Sequence, residues 1–110
     1  MKNIREGNYI KINGITKKVT LTMIFEGGMD NYCEKIKITN QLLLDLSFTV
    51  HHTADMREFN GFKKKFLIIY AHPHTNQFFI KYNDEIIYIE YISDVQNLFL
   101  CLNGNELFFV

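Results

Sequence analysis

Phe66-Leu67-Ile68-Ile69-Tyr70, then His72-Pro73-His74-Thr75-Asn76, then Phe78-Phe79-Ile80-Lys81-Tyr82, then Asn83-Asp84, then Ile86-Ile87-Tyr88-Ile89-Glu90-Tyr91-Ile92: this stretch decides the fold. Three runs of β-branched and aromatic residues separated by turn formers have the composition and spacing of an antiparallel meander. The remaining segments must pack on that sheet.

Composition bounds the rest. A chain of 110 residues forms one domain, 1–110, and buries roughly two-thirds of its unfolded surface, enough for a core without metal or disulfide support. The ten Phe and six Tyr, with no Trp, suit sheets better than helix bundles. Twelve basic and twelve acidic side chains cancel, so no net field draws in a nucleic-acid polymer or an anionic membrane, and neutrality favours self-association. Cys33 and Cys101 stand far apart without a CxxC neighbourhood, which predicts reduced, buried thiols. The opening Met1-Lys2-Asn3-Ile4-Arg5-Glu6 has no apolar h-region, and no stretch approaches the roughly eighteen apolar residues of a membrane span. These features predict a cytoplasmic protein.

Working outward, Asn8-Tyr9-Ile10-Lys11-Ile12 alternates and runs into Asn13-Gly14, the dipeptide that best tolerates positive φ at both central positions of a type I′ turn. A return strand is predicted over Ile15–Phe25, with Ile15, Lys17, Val19, Leu21, Met23 and Phe25 on its core side. Glu26-Gly27-Gly28-Met29-Asp30-Asn31 breaks the chain, and Tyr32–Thr39 forms a third strand with Ile36 and Ile38 inward. Thr39 or Asn40 caps a short helix whose Leu42, Leu43 and Leu46 share one face. Ser47–Gly61 has no convincing period and reads as a loop or frayed strand. After Ile92 the period changes: Ser93-Asp94-Val95-Gln96 has the form of a capping box, Val95, Leu98, Phe99 and Leu102 make the buried stripe of a helix, and Asn103-Gly104 ends it. Glu106–Val110 reads as a last strand. The predicted class is α+β, a bent antiparallel sheet or small barrel of about six or seven strands with two short helices.

The segment from Tyr91 to Leu107, with Val95-Gln96-Asn97-Leu98-Phe99 and then Gly104-Asn105-Glu106-Leu107, resembles the C-terminal signature of small orphan proteins encoded by bacteriophages and mobile elements of gut bacteria. Gly7-Asn8-Tyr9-Ile10 with Asn13-Gly14 resembles their opening. Ile38-Thr39 leading to Leu46-Ser47-Phe48 resembles their middle, where Gly is commoner than Ser47, and a His often stands where this chain has Ser93. The family has no agreed activity, so the resemblance implies phage origin and an infected bacterial host rather than a reaction.

Chemistry-bearing residues are few. Lys63-Lys64-Lys65 with Arg57 and the histidines is the one local concentration of positive charge, and Phe59, Phe62, Phe66 and Tyr70 bracket it. Rings stack on a base and cations hold phosphate, so Arg57, Phe59, Lys63, Lys65, Tyr70, His72 and His74 are the candidate ligand-binding residues. The bland alternative is a solvated strand entry whose lysines discourage edge pairing. His51, His52, His72 and His74 could converge on a metal, but no HExxH or comparable motif accompanies them, and His-Pro-His-Thr-Asn is also an ordinary hairpin loop. Gly27-Gly28 lacks a phosphate-loop context. Glu90 is either a buried acid or an exposed edge charge, the latter favoured. No nucleophile lies in an activating setting.

The expected protein is therefore non-enzymatic and without a cofactor. It binds a small nucleotide-like ligand, a reading that with phage origin becomes sequestration of a nucleotide-derived immune signal. The alternatives are a protein-docking or virion-accessory module using the apolar sheet face, and a His-dependent metal enzyme. Because the meander is apolar on both faces, a homo-oligomer is expected.

Overall fold

Asn-led turns set the register of the chain. Asn13 and Gly14 take φ of 52° and 80°, the doubly positive geometry of a type I′ turn. They join β1 (Tyr9–Ile12) to β2 (Ile15–Lys18) with Ile12 opposite Ile15. The computed structural model describes residues 4–26, 33–52 and 58–109. The Gly27–Asn31 part of the predicted break, Tyr32, Arg57 and Val110 lie outside them.

The predicted long return strand is not found. β2 ends at Lys18, Val19 donates its N–H to Asn8, and α1 (Leu21–Glu26) follows. The Thr20 hydroxyl accepts from the Met23 N–H, an N-cap that starts a helix where strict alternation suggested a strand. Of the predicted core side only Val19 is buried, while Ile15, Leu21 and Phe25 are exposed.

β3 (Cys33–Lys35) pairs with the other edge of β1, giving a three-stranded sheet of order β2-β1-β3. Ile36 and Ile38 are buried as predicted. Lys37 between them bridges to Tyr91, so this segment leaves the first sheet and joins the second. α2 (Asn40–Asp45) is capped by the Thr39 hydroxyl, which accepts from the Leu42 N–H. It ends at Ser47, which has φ of 69°. A side chain in the left-handed region is strained, so this position favours glycine.

The second sheet is an antiparallel ladder of order β4-β5-β6-β7-β8, built from β4 (Thr49–His51), β5 (Asn60–Lys64), β6 (Leu67–Ala71), β7 (Phe78–Tyr82) and β8 (Glu85–Ile89). The last three strands are the predicted meander, while β4 and the start of β5, Asn60 and Gly61, come from the region read as a loop or frayed strand. Gly61 is required where β5 crosses β4, because a Cβ there would strike the carbonyl oxygen of His51. Lys65, with φ of 52°, opens the β5–β6 turn, and Asn83 and Asp84, at 49° and 65°, make a second type I′ turn between β7 and β8. Neither sheet closes on itself. The described residues therefore form an α+β fold with eight strands in two open antiparallel sheets and three helices.

One face of the large sheet carries Phe62, Leu67, Ile69, Ala71, Phe78 and Ile80 into the core, against Leu43, Leu46, Ile92, Val95 and Phe99. The last three belong to α3 (Ile92–Asn103), which ends at Gly104 with φ of 74° as expected, although Leu102, expected on its buried stripe in the last turn, is exposed. Its start differs from the predicted capping box. Tyr91 is the N-cap, and the Asp94 carboxylate accepts from the N–H groups of Tyr91 and Glu90. Ser93 is buried inside the helix, its hydroxyl without a partner among the described residues.

Gln96 is freed for another task. Fully buried, its Oε1 accepts from the Tyr9 N–H at 2.8 Å and from Asn8 Nδ2 at 3.5 Å, and its Nε2 donates to the carbonyls of Gly7 at 3.0 Å and Leu107 at 3.3 Å. Residues 106–109 are irregular rather than the predicted strand. They are fixed by this amide, by burial of Leu107 and by an Arg5–Glu106 ion pair at 2.6 Å. The signature residues Gln96, Glu106 and Leu107 therefore have a structural role.

Two predictions follow from these contacts. Gln96→Ala strands a backbone donor and two carbonyls, and should cost about 3–5 kcal/mol of stability in urea unfolding. Ser47→Gly relieves the left-handed strain and should add about 1 kcal/mol in the same assay.

Candidate functional site

Residues opposite one another in a ladder share a face. Tyr70 lies opposite both Gly61 and Phe79, and Phe79 opposite Tyr88, so these side chains stand on the face turned away from the core helices. There they form a ring cluster with Phe59 and His72. Phe79 is the hub, with centroid distances of 5.2 Å to Phe59, 5.5 Å to Tyr70, 5.2 Å to His72 and 5.9 Å to Tyr88. The edge-to-face packing of Phe59 and the offset packing of Tyr70 are the arrangements that ring quadrupoles favour. The hub is 1% exposed and Tyr88 at the rim is 59% exposed. His72 stacks near-parallel to Tyr88 at 6.3 Å, and its Nε2 is buried without a hydrogen-bond partner among the described residues.

The cluster unites three predicted ligand residues, Phe59, Tyr70 and His72. Arg57 lies outside the described residues, and Lys63, Lys65 and His74 do not converge on the cluster. Lys63 lies opposite Ile68, on the same face one row along, and is exposed. Lys65 occupies the β5–β6 turn, seven residues from His72, or roughly 20 Å of extended chain. His74 is exposed in the β6–β7 connection, at the opposite end of the sheet from Lys65. Lys64 turns to the core side, where its ammonium donates to the Leu46 carbonyl at 3.0 Å and lies 5.6 Å from the Phe99 ring. Its burial, and secondarily the charge of Lys65, lower its pKa. The three lysines thus point in three directions.

Among the described residues no three His, Cys, Asp or Glu side chains come together to hold a metal. Cys33 is buried as expected, whereas Cys101 is exposed on α3. Glu90 is the exposed edge charge, 4.0 Å from Lys37. Among the described residues no helix is long and apolar enough to cross a membrane.

A cleft of about 770 Å³ opens beside the ring cluster. Tyr88 belongs to both. The cleft lies where the chain peels away from the second sheet: Ile38 donates to the Glu90 carbonyl, and at Thr39 the backbone turns into α2, leaving the edge of β8 uncovered. Asn40 and Gln41 at the start of α2, Asn76 and Gln77 of the β6–β7 connection, Lys37 and Glu90 line it, together with the apolar Ile38, Phe78 and Ile89. Gln41 Nε2 is engaged with Asp45 at 2.9 Å. An aromatic ring flanked by amides recognises a planar heterocycle, because the ring stacks on its face while amides pair donors and acceptors along its edge.

Sequence reasoning missed Phe79, Tyr88 and the amide residues. The register of the meander would have placed Phe79 and Tyr88 beside Tyr70. No local signal joins Asn40 and Gln41 to Asn76 and Gln77, which meet only through the Lys37–Tyr91 bridge. No protein-family model, curated protein or solved structure matches the chain.

The cluster and the cleft respond differently to truncation. Phe79→Ala removes a fully buried ring and should lower stability by about 3–5 kcal/mol. Tyr88→Ala should change the urea midpoint far less, because more than half of that side chain already faces solvent.

Proposed function

We propose that this protein is a non-enzymatic binder of a small nucleobase-bearing molecule, held in the cleft with its ring against Tyr88. In the phage setting that its C-terminal segment resembles, its role is to withdraw a nucleotide-derived immune signal from host defence. The observation that carries this reading is that an exposed tyrosine, packed against His72 and Phe79, shares the lining of one cleft with two asparagines and two glutamines. The volume of about 770 Å³ lies within the range of ligand pockets, about 300–1,000 Å³. His72 and Phe79 fix the Tyr88 ring from behind, so little side-chain freedom is lost when a base stacks on it. Lys37 supplies a cation at the rim for a phosphate. Amides and a tyrosine ring read edges and faces by hydrogen bonding and stacking, which suits retention of an intact ligand.

This reading moves the site from the lysine run to the cleft, and the two locations are experimentally distinct. Protein purified without nucleotide should be denatured and the released small molecules identified by mass spectrometry, with nucleotides then tested by thermal shift and calorimetry. An intact nucleotide should be released. Tyr88→Ala should weaken its binding by about ten- to a hundredfold, the worth of one base–aromatic stack, while Lys63→Ala with Lys65→Ala leaves it unchanged. Release of nothing with no nucleotide-dependent shift, or release of a cleaved product, defeats the proposal.

A further inference from the structure

A molecule whose base stacks on Tyr88, as the reading above has it, brings its phosphate to the charges that border the cleft. Among the described residues lining it, Lys37 is the one cation and Glu90 the one acid. They lie 4.0 Å apart, with 75% and 60% of their side chains exposed, so both stay hydrated and the pair is loose. Two further acids stand close by. The Asp94 carboxylate lies 3.0 Å from the Tyr91 nitrogen and 3.3 Å from that of Glu90, and Asp45 accepts from Gln41 Nε2 at 2.9 Å. Against them stands one more cation, Lys35, whose Nζ is 5.0 Å from the Tyr91 ring centroid. The acids prevail here. The Tyr91 hydroxyl is held above its ordinary pKa chiefly by the charge of Glu90, with Asp94 adding to it.

A phosphate of two or more charges is ordinarily held by several cations, by a glycine-rich loop of backbone N–H groups or by a helix N-terminus. The described residues lining this cleft include no glycine and no arginine. α2 starts at its border but is six residues long, and Thr39 already takes the Leu42 and Leu43 N–H groups, so its positive end is small. At longer range the chain has no net field, because twelve charges of each sign cancel.

We infer that the ligand of this cleft carries a single negative charge, as a phosphodiester does, and that a terminal phosphate, with a charge of about −1.5 to −2 near pH 7, is disfavoured. Lys37 meets the first charge. It gives up Glu90 at little cost, because an exposed ion pair is worth little. Glu90 then remains beside the bound phosphate, and each further charge on the ligand meets that carboxylate with no second cation in the lining. Tyr88 and the amides select the base, while the balance of Lys37 and Glu90 limits the charge. A protein that must find a scarce signal gains from this filter, since the nucleoside triphosphates around it all carry terminal phosphates.

The test compares compounds that share one base and one ribose and differ in charge: the nucleoside, its 5′-monophosphate, the methyl ester of that phosphate, and the 5′-triphosphate, for each of the common bases. Calorimetry on the full chain at neutral pH and low salt should rank the methyl ester tightest for at least one base. The monophosphate should bind about threefold more weakly and the triphosphate about tenfold or more, threefold being the effect of one unit-charge repulsion across roughly 6 Å of water. Glu90→Gln should close most of the gap between ester and monophosphate, and Lys37→Gln should lower the ester to the level of the nucleoside. Both side chains are exposed, and circular dichroism should show both variants folded. A monophosphate or triphosphate that binds as tightly as the ester, or a gap that Glu90→Gln leaves unchanged, overturns the inference while the nucleobase reading stands. Binding of none of the compounds defeats that reading and the inference with it.

Discussion

One buried amide holds the two sheets in a single fold. Gln96 reaches from α3 to the backbone on both sides of Asn8 and to Leu107, and it uses both its donors and its acceptor where water cannot replace them. An unpaired polar group in such a place costs about 1–3 kcal/mol, so these contacts form together or not at all. Asn8 extends the network, accepting from the Arg5 N–H and donating to Asn97, while its carbonyl accepts from Val19. The small sheet has a modest core of its own, chiefly Ile10, Val19 and Cys33. Its attachment to α3 is therefore largely polar, and directional bonds set the angle at which it sits.

The cleft depends on a different constraint, the crossing of one segment between the two sheets. Residues 33–38 begin as a strand of the small sheet and finish beside Tyr91 at the edge of the large one. When Thr39 caps α2, the segment turns away before it can cover β8. This brings polar residues of the departing chain and an exposed tyrosine to the border of one cleft. That tyrosine stands against Phe79 and His72, on a sheet face otherwise occupied by its own rings.

Much of this was legible in the residues, and the failures share a cause. The meander, the Asn-Gly turn, Thr39 as a cap and Gly104 as a helix end were all readable, because each depends on neighbours within a few positions. Ile15–Phe25 was ambiguous, since Leu21, Ile24 and Phe25 fit a helix as well as alternation fits a strand, and a single hydroxyl on Thr20 tips the balance. Gln96 was misread for the opposite reason: a local rule fitted it, while three of its real partners, Gly7, Asn8 and Tyr9, lie 87–89 positions away. The candidate site followed the same pattern. Phe59, Tyr70 and His72 belong together through strand pairing, whereas Lys63 and Lys65, close in sequence, are driven apart by alternation and a turn.

The span between the partners of Gln96 also orders events during synthesis. Residues 5–9 must wait for residues 96–109 to leave the ribosome before their backbone groups acquire these partners, and contacts of such long separation carry the largest closure entropy. The hairpins of the meander require only their own neighbours and can assemble first. Nascent chains should therefore carry a formed large sheet and an undocked β1–β2 hairpin. During that interval the hairpin and the open edge of β8 are both exposed to chaperones and to other chains.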